Sequence, residues 1–243
     1  MTQKKPNVLS IVPVRGGSKG LPGKNLLPIA GRPLVLHTYD FARNASLVDR
    51  SVVSTDDEAI AKAVLDDGGD VVLRPAKLAQ DDSRVETALV HTLTTCEERD
   101  GIRYDVVLYM EATIPVRHKD MPDKVLTTLF EHPEATSVIT MIKAPIHPFW
   151  MVQIGEDGYL DHYKENECSR RQLLPEDCFY PDGSVYALRR NELFNCLKNP
   201  KVYNYMGDRP LGIEQDTIHS FDVDYKLDYD VAKYVVENLW KDN

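Results

Sequence analysis

Two places in this sequence carry residue types and spacings that could do chemistry. The first is Arg15 to Asn25, RGGSKGLPGKN, which holds four glycines and three cations within eleven residues. Glycines let backbone N–H groups turn towards an anion, and Arg15, Lys19 and Lys24 add fixed positive charge. A triphosphate asks for that combination, because charge grows on a departing pyrophosphate. The second place is Asp222 and Asp224, a DxD pair. Residues two apart on a strand face the same way, so both carboxylates could reach one ion. Each feature has a plainer reading. The loop could be a basic turn without a ligand, and the acid pair a solvated edge.

Two familiar phosphate loops fail on the spacing. A Walker loop needs four residues between its first glycine and Gly-Lys-Ser/Thr. Here Gly17 and Gly23 enclose five, and Asn25 follows Lys24. A dinucleotide fingerprint needs a helix opening directly from the loop, whereas Pro22 and Pro28 delay the next helix to about Pro33.

The elements that must position these residues follow from apolar patterning. Val8 to Val14 has the length and β-branched content of a buried strand, which puts the glycine loop at its carboxyl edge, where open α/β sheets bind ligands. A helix runs from Pro33 to about Asn44. Ser51 to Ser54 is a second strand, and Thr55 with Glu58 at capping-box spacing starts a helix through Asp66. Further strands are predicted at Asp70 to Leu73, Asp105 to Met110 and Ser137 to Ile142, with helices at Val85 to Glu98 and Lys119 to Glu131. The alternation predicts an α/β, Rossmann-like, mostly parallel sheet with helices on both faces. From about residue 144 to 185 the rhythm breaks into short pieces (Met151 to Ile154, Phe179 to Tyr180), which predicts a small protruding subdomain within one domain spanning 1–243. The rhythm returns with a strand at Val185 to Leu188, a helix near Glu192 to Leu197, a strand near Ile218 to Val223, and a closing helix from Lys226 to Lys241.

Bulk composition bounds the function. The 243 residues are 42% hydrophobic and 28% charged, ordinary for a globular chain. A net charge of -9 disfavours duplex DNA and anionic membranes as partners, while leaving room for a nucleotide held by a local basic cluster. No apolar run approaches the ~20 residues of a membrane span. Met1 to Asn7 is polar and shows no signal-peptide pattern, so the expected location is cytoplasmic. Cys96, Cys168, Cys178 and Cys196 form no CxxC pair and show no metal spacing with histidine, which leaves reduced thiols as their reading.

RGGSKGLPGKN resembles the signature loop of the acylneuraminate cytidylyltransferase family, the CMP-sialic acid synthetases. The resemblance continues, in family order, through VVSTDDEAIA (Val52 to Ala61), Arg74-Pro75, ATIPVR (Ala112 to Arg117), RRQLLPEDCFYPDGSVY (Arg170 to Tyr186) and FDVD (Phe221 to Asp224). It implies a nucleotidyltransferase-type fold whose protruding subdomain packs against a second subunit, hence a homodimer. It also implies that Arg15 and Lys24, with Gly16, Gly17 and Lys19, hold the triphosphate of CTP, while Asn25 and Arg74 lie near ribose and cytosine. Without the resemblance, Arg74 reads equally well as a surface ion pair. Asp222 and Asp224 match the family's Mg2+ carboxylates. Arg171 matches the arginine that takes the sugar's carboxylate, and Tyr180, Pro181, Asp182 and Gly183 match a sugar-contacting turn, with Asp182 in place of the usual Asn. The other departure is MEATIPVR, where the family reads LQPTSPLR. Glu111 replaces a sugar-binding glutamine, and an ionised Glu only accepts hydrogen bonds. His147, beside Pro148, reads as structural.

The expected reaction is attack by the anomeric hydroxyl of an acidic keto sugar on the α-phosphorus of CTP, with pyrophosphate leaving. Positioning and charge neutralisation suffice for this, and no covalent nucleophile is needed. A rival in chemistry is a cytidylyltransferase for 3-deoxy-octulosonate. A rival in class is a nucleotide-binding protein with a dead site.

Overall fold

The computed structural model describes residues 5–165, 168–174, 177–198 and 204–240. In chain order the elements are β1 (Val8–Val14), β2 (Pro28–Ile29), β3 (Arg32–Pro33), α1 (Leu34–Asn44), β4 (Arg50–Thr55), α2 (Glu58–Asp66), β5 (Val71–Leu73), α3 (Val85–Asp100), β6 (Val106–Tyr109), α4 (Met121–Glu131), β7 (Ser137–Lys143), β8 (Val152–Ile154), β9 (Leu160–His162), β10 (Phe179–Arg189), α5 (Arg190–Lys198), β11 (Pro210–Glu214) and α6 (Lys226–Tyr234).

The alternation of side chains along β1 explains the layers. Val8, Val12 and Val14 face one cluster with Val35, Leu36, Ile60, Val64, Val125 and Leu126, so α1, α2 and α4 cover that face. Leu9 and Ile11 face the opposite cluster with Leu89, Leu93, Leu193 and Cys196, so α3 and α5 cover the other. The sheet order is β11-β7-β10-β6-β1-β4-β5. All its neighbours run parallel except β10, which is antiparallel to both β6 and β7. The predicted mostly parallel α/β sheet is therefore the one observed. No helix among the described residues is long and apolar enough to cross a membrane.

Several local expectations are corrected. The cap of α2 is Asp57, whose Oδ1 accepts from the backbone of Ala59 and Ile60 at 2.7 and 3.0 Å; Thr55 instead accepts from Asp57 N. Phe179–Tyr180 and Val185–Leu188 are one strand, β10, interrupted by a register shift between Pro181 and Tyr186 where Gly183 takes φ +78°. That left-handed turn hid the continuity behind turn residues. β10 thus joins the main sheet from Phe179 onward, and the segment between β7 and β10, the arm, is closed at its base by Ala144 N donating to Cys178 O at 2.7 Å. Within the arm, β8 and β9 pair only with each other, and all six of their residues are exposed.

A further correction touches the acid pair. No strand forms at 218–223; Thr217–Ser220 is a short 3-10 turn, and Asp222 and Asp224 lie in the coil leading to α6. The last strand is β11, whose Pro210 and Gly212 mask it in the sequence and are tolerated because it lies at the sheet edge. The closing helix is α-helical only to Tyr234 and continues as a π turn over Val235–Leu239; Lys241 lies outside the described residues.

Candidate active site

The glycine loop leaves β1 at its carboxyl end and is shaped by close approaches. A Cβ on Gly16 would come within 2.9 Å of the Asp57 Cβ, and one on Gly20 within 2.6 Å of the Asp224 backbone oxygen. Gly17 has open space around it, so sterics do not demand glycine there. Gly16 N donates to Asp56 Oδ1 at 3.2 Å, which fixes the first turn.

Each cation of the loop has a carboxylate partner. Arg15 and Lys19 both reach Asp81, at 2.7 and 2.6 Å, and the two together, Lys19 first, hold the Asp81 carboxyl below the usual carboxylate range. Lys24 Nζ donates to Val223 O and to Asp224 Oδ1, both at 2.8 Å. The loop and the acid pair, some 200 residues apart in sequence, are thus in direct contact. A single backbone bond, Val223 N to Thr113 O at 3.0 Å, ties the acid-bearing coil to the segment after β6.

Asn25 is buried, with Nδ2 donating to Arg15 O at 3.2 Å and Oδ1 left without a partner. Arg74 follows β5, and its backbone N–H bonds Thr55 O at 2.8 Å. Its buried guanidinium sits 3.9 Å from Asp56 with Nε unpaired; burial pulls its pKa down and Asp56 opposes that. Arg15, Lys19, Lys24, Asn25 and Arg74 line one cavity of 360 Å³, together with Asp81 and Asp224.

A second cavity of 280 Å³ is lined by Glu111, Tyr180, Asp182, Tyr186, Ser220 and Asp222, among others. Glu111 is the one described residue common to both. Its carboxyl is half-buried and accepts from Tyr109 OH at 3.0 Å; desolvation first, then the nearby Asp222 charge, raises its pKa to about 7. Asp182 is occupied by the fold: it accepts from Thr140 Oγ1 (2.6 Å), Ser184 N (2.8 Å) and Gln215 Nε2 (2.6 Å). Asp222 is different. Its Oδ1 is buried and unpartnered, and burial, then the neighbouring Asp224, raise its pKa.

Gly16, Gly17 and Arg171 are the predicted site residues that line neither cavity; the two glycines shape the loop from behind, and Arg171 is remote from it. Arg171 lies on the arm, in a third cavity of 320 Å³ with Lys143, His147, Trp150, Asp177 and Cys178. His147 Nδ1 accepts from Phe149 N at 3.2 Å and caps the turn Pro148–Trp150. Sequence reasoning gave no role to Asp81 or Arg117. Arg117 is fully buried, with its donors on Ser184 O, Thr38 Oγ1, Ile114 O and Glu111 O, and burial lowers its pKa to about 10. An arginine inside the otherwise apolar IPV-R run was the available signal; Asp81 had none, being one of many acids.

This geometry has counterparts among known proteins. A family model described as cytidylyltransferase matches residues 9–149. The chain belongs to the cytidylyltransferase family. This cytidylyltransferase is 28% identical over 231 residues to "Post-translational flagellin modification protein B" of Campylobacter coli, covering 95% of each. It is 28% identical over 222 residues to an N-acylneuraminate cytidylyltransferase of Streptococcus agalactiae, covering 88% of this chain and 51% of that longer protein, so it spans about half the length of that relative. The resemblance read from the glycine loop is borne out. For the fold, a CMP:2-keto-3-deoxy-manno-octonic acid synthetase complexed with CTP superposes with a TM-score of 0.73 over 95% of this chain and 98% of its own, at 18% identity. The matched segment of the cytidylyltransferase model contains the loop, Arg74 and Glu111, ends within the first residues of the arm, and stops well before the acid pair.

Proposed function

We propose that this cytidylyltransferase transfers CMP from CTP to the anomeric hydroxyl of a sialic-acid-like nonulosonic acid and releases pyrophosphate. The observation that carries the reading is the contact between Lys24 and Asp224 at 2.8 Å, which sets the phosphate-type loop against the acid pair on one cavity wall. A second cavity adjoins it through Glu111. The names and matches of the relatives support cytidylyl transfer to an acidic keto sugar.

In this reading the triphosphate occupies the 360 Å³ cavity, with Arg15, Lys19 and Lys24 around its phosphates. Arg74, desolvated and with Nε free, has the forked donors to read a pyrimidine carbonyl, and the orphaned Asn25 Oδ1 can accept from a ribose hydroxyl. The sugar occupies the adjoining cavity, so its C2 hydroxyl meets the α-phosphorus near Glu111. The hydroxyl oxygen bonds to phosphorus as the bond to the bridging oxygen breaks, and Arg15 and Lys24 stabilise the leaving charge.

Asp222 and Asp224 fit a hard divalent ion. Asp222 carries a buried, unpartnered oxygen, and Asp224 is exposed towards the nucleotide cavity. Mg2+ bound there would supply charge neutralisation at the phosphate oxygens. The arm supports a homodimer: Ile154, Tyr159 and Leu160 are 75%, 75% and 65% exposed, an apolar surface that a second copy would cover. Arg171 on that arm would then serve the neighbouring subunit's sugar cavity. A cytoplasmic location completes the proposal.

The test is pyrophosphate release from CTP and Mg2+, with N-acetylneuraminate, legionaminate, pseudaminate or 3-deoxy-octulosonate added in turn. Release that depends on one of the nine-carbon acids supports the reading. Failure of all four, in protein that binds CTP by calorimetry, would overturn it in favour of a nucleotide-binding protein without transferase activity.

A further inference from the structure

The sugar cavity has an unusual charge balance for a site that takes an acid. Glu111, Asp182 and Asp222 line it, and among the described residues no lysine or arginine does. Asp182 is spent on Thr140, Ser184 and Gln215. Asp222 is assigned to the metal. Glu111 remains. Its Oε1 accepts from Tyr109, and its Oε2 receives no hydrogen bond from any described residue. Gly183, in its left-handed turn, makes room for the carboxylate, since a Cβ there would fall 2.8 Å from Oε2. Arg117, the buried cation behind the cavity floor, does not neutralise the carboxylate by direct contact, since its donors go to backbone carbonyls and to Thr38.

We propose that Glu111 is the specificity-determining residue of the acceptor cavity, selecting a keto sugar acid that carries a cationic nitrogen substituent such as an amidine. The proposal rests on the cytidylyltransferase reading and names the acceptor class within it. A ligand that covers this half-buried carboxylate desolvates its free oxygen, which is costly unless the ligand supplies donors and positive charge. An amidinium presents parallel N–H groups to a carboxylate and brings the charge as well. A neutral acetamide brings one N–H and a carbonyl that Glu111 repels. The same field orients the acceptor, because the sugar's own carboxylate must point away from Glu111.

The experiment uses the full chain with CTP and Mg2+ and three acceptors: N,N'-diacetyllegionaminate and its two counterparts in which the C5 or the C7 acetamido group is acetamidino. kcat/KM is measured for wild type and E111Q, with melting temperature as the check on folding. Wild type is expected to favour one acetamidino acid by at least about tenfold, the size of one charge-assisted contact, and E111Q to bring that ratio to near one. Should E111Q not fold, E111D keeps the charge but withdraws it by one carbon, and is expected to lower the ratio. A wild-type preference for the diacetyl acid, or an equal ratio in wild type and variant, overturns the proposal while leaving the transferase reading intact. Turnover of none of the three acids, with CTP still bound, overturns the proposal together with the assigned acceptor class, and loss of CTP binding as well removes the reading beneath both.

Discussion

Glu111 also makes a prediction about the folded chain alone. Its carboxyl, ordinarily at 4.5, stands at about 7 in the fold because burial and the nearby Asp222 charge penalise ionisation. Below pH 4.5 both folded and unfolded chains hold the proton and the group costs nothing. Between 4.5 and about 7 the folded chain keeps a proton that the unfolded chain has lost, so stability falls as pH rises. Above about 7 the loss is complete. At about 1.4 kcal/mol per pH unit it amounts to about 3 kcal/mol. E111Q removes the titration while keeping an acceptor for Tyr109. The expected result is that E111Q melts above wild type by a margin that grows from pH 4.5 to about 7.5 and then levels. For a chain of this length the growth corresponds to about 6–12 °C. The assay is thermal unfolding of metal-free and nucleotide-free protein across that range. Asp222 shifts in the same direction, but it is present in both proteins, so the difference isolates Glu111 and its coupling to Asp222. A margin that stays constant from pH 5 to 8 would refute the reasoning.

Four other outcomes follow from the geometry. Lys24→Met should lower kcat/KM for CTP by about 10²–10³ in steady-state assays, as expected for one preorganised cation on the leaving group. Arg117→Met leaves Ser184 O without its side-chain donor, and Ile114 O and Glu111 O with only the shared Thr38 hydroxyl, and should cost about 3–5 kcal/mol in urea unfolding. Asp81→Asn releases Arg15 and Lys19 from their shared carboxylate, so CTP should bind a few-fold tighter by calorimetry at low salt, with the gain shrinking as salt is added. Leu160→Asp, on the exposed hairpin, should convert the proposed dimer to a monomer in sedimentation and lower turnover with it.

The parts of the fold legible in the sequence were those with long apolar runs. β1 is bounded as its VLSIVPV run predicts, and α1, α3 and α4 fall within two residues of their expected ends, because helix and strand periods there are not interrupted. What escaped was held by tertiary context. β11 opens on a proline and contains a glycine, which its place at the sheet edge tolerates but its sequence does not announce, and β10 hides behind a glycine turn that makes room for Glu111. In the site, the cations were legible because an unusual density of glycine and charge marks them. Asp81 was not, because its importance lies in where α3 and the loop before it fold back, and no local pattern records that. Arg171 was legible by type and matched block, yet its place on the arm depends on a chain geometry that spacing does not contain.

The antiparallel strand β10 is what makes the site bipartite. β1, β5 and β6 run parallel and deliver Arg15, Arg74 and Glu111 just past their carboxyl ends, on one edge of the sheet. A further parallel strand beside β6 would bring only its own carboxyl end to that edge. β10 runs the other way, so its early residues arrive there instead: Tyr186 pairs with Tyr109, which places Asp182 and Gly183 beside Glu111, and Glu111 N bonds Gly183 O at 3.2 Å. The edge thus carries Arg15 and Arg74 after parallel strands on one side of Glu111, and Asp182 of the reversed strand with Asp222 of the coil on the other. The coil with Asp222 and Asp224 closes over the join, one acid in each cavity, and Lys24 pins it there through Val223 O and Asp224. A donor with a polyanionic tail and an acceptor approaching from the opposite side can share that seam, and reversing one strand is enough to build it.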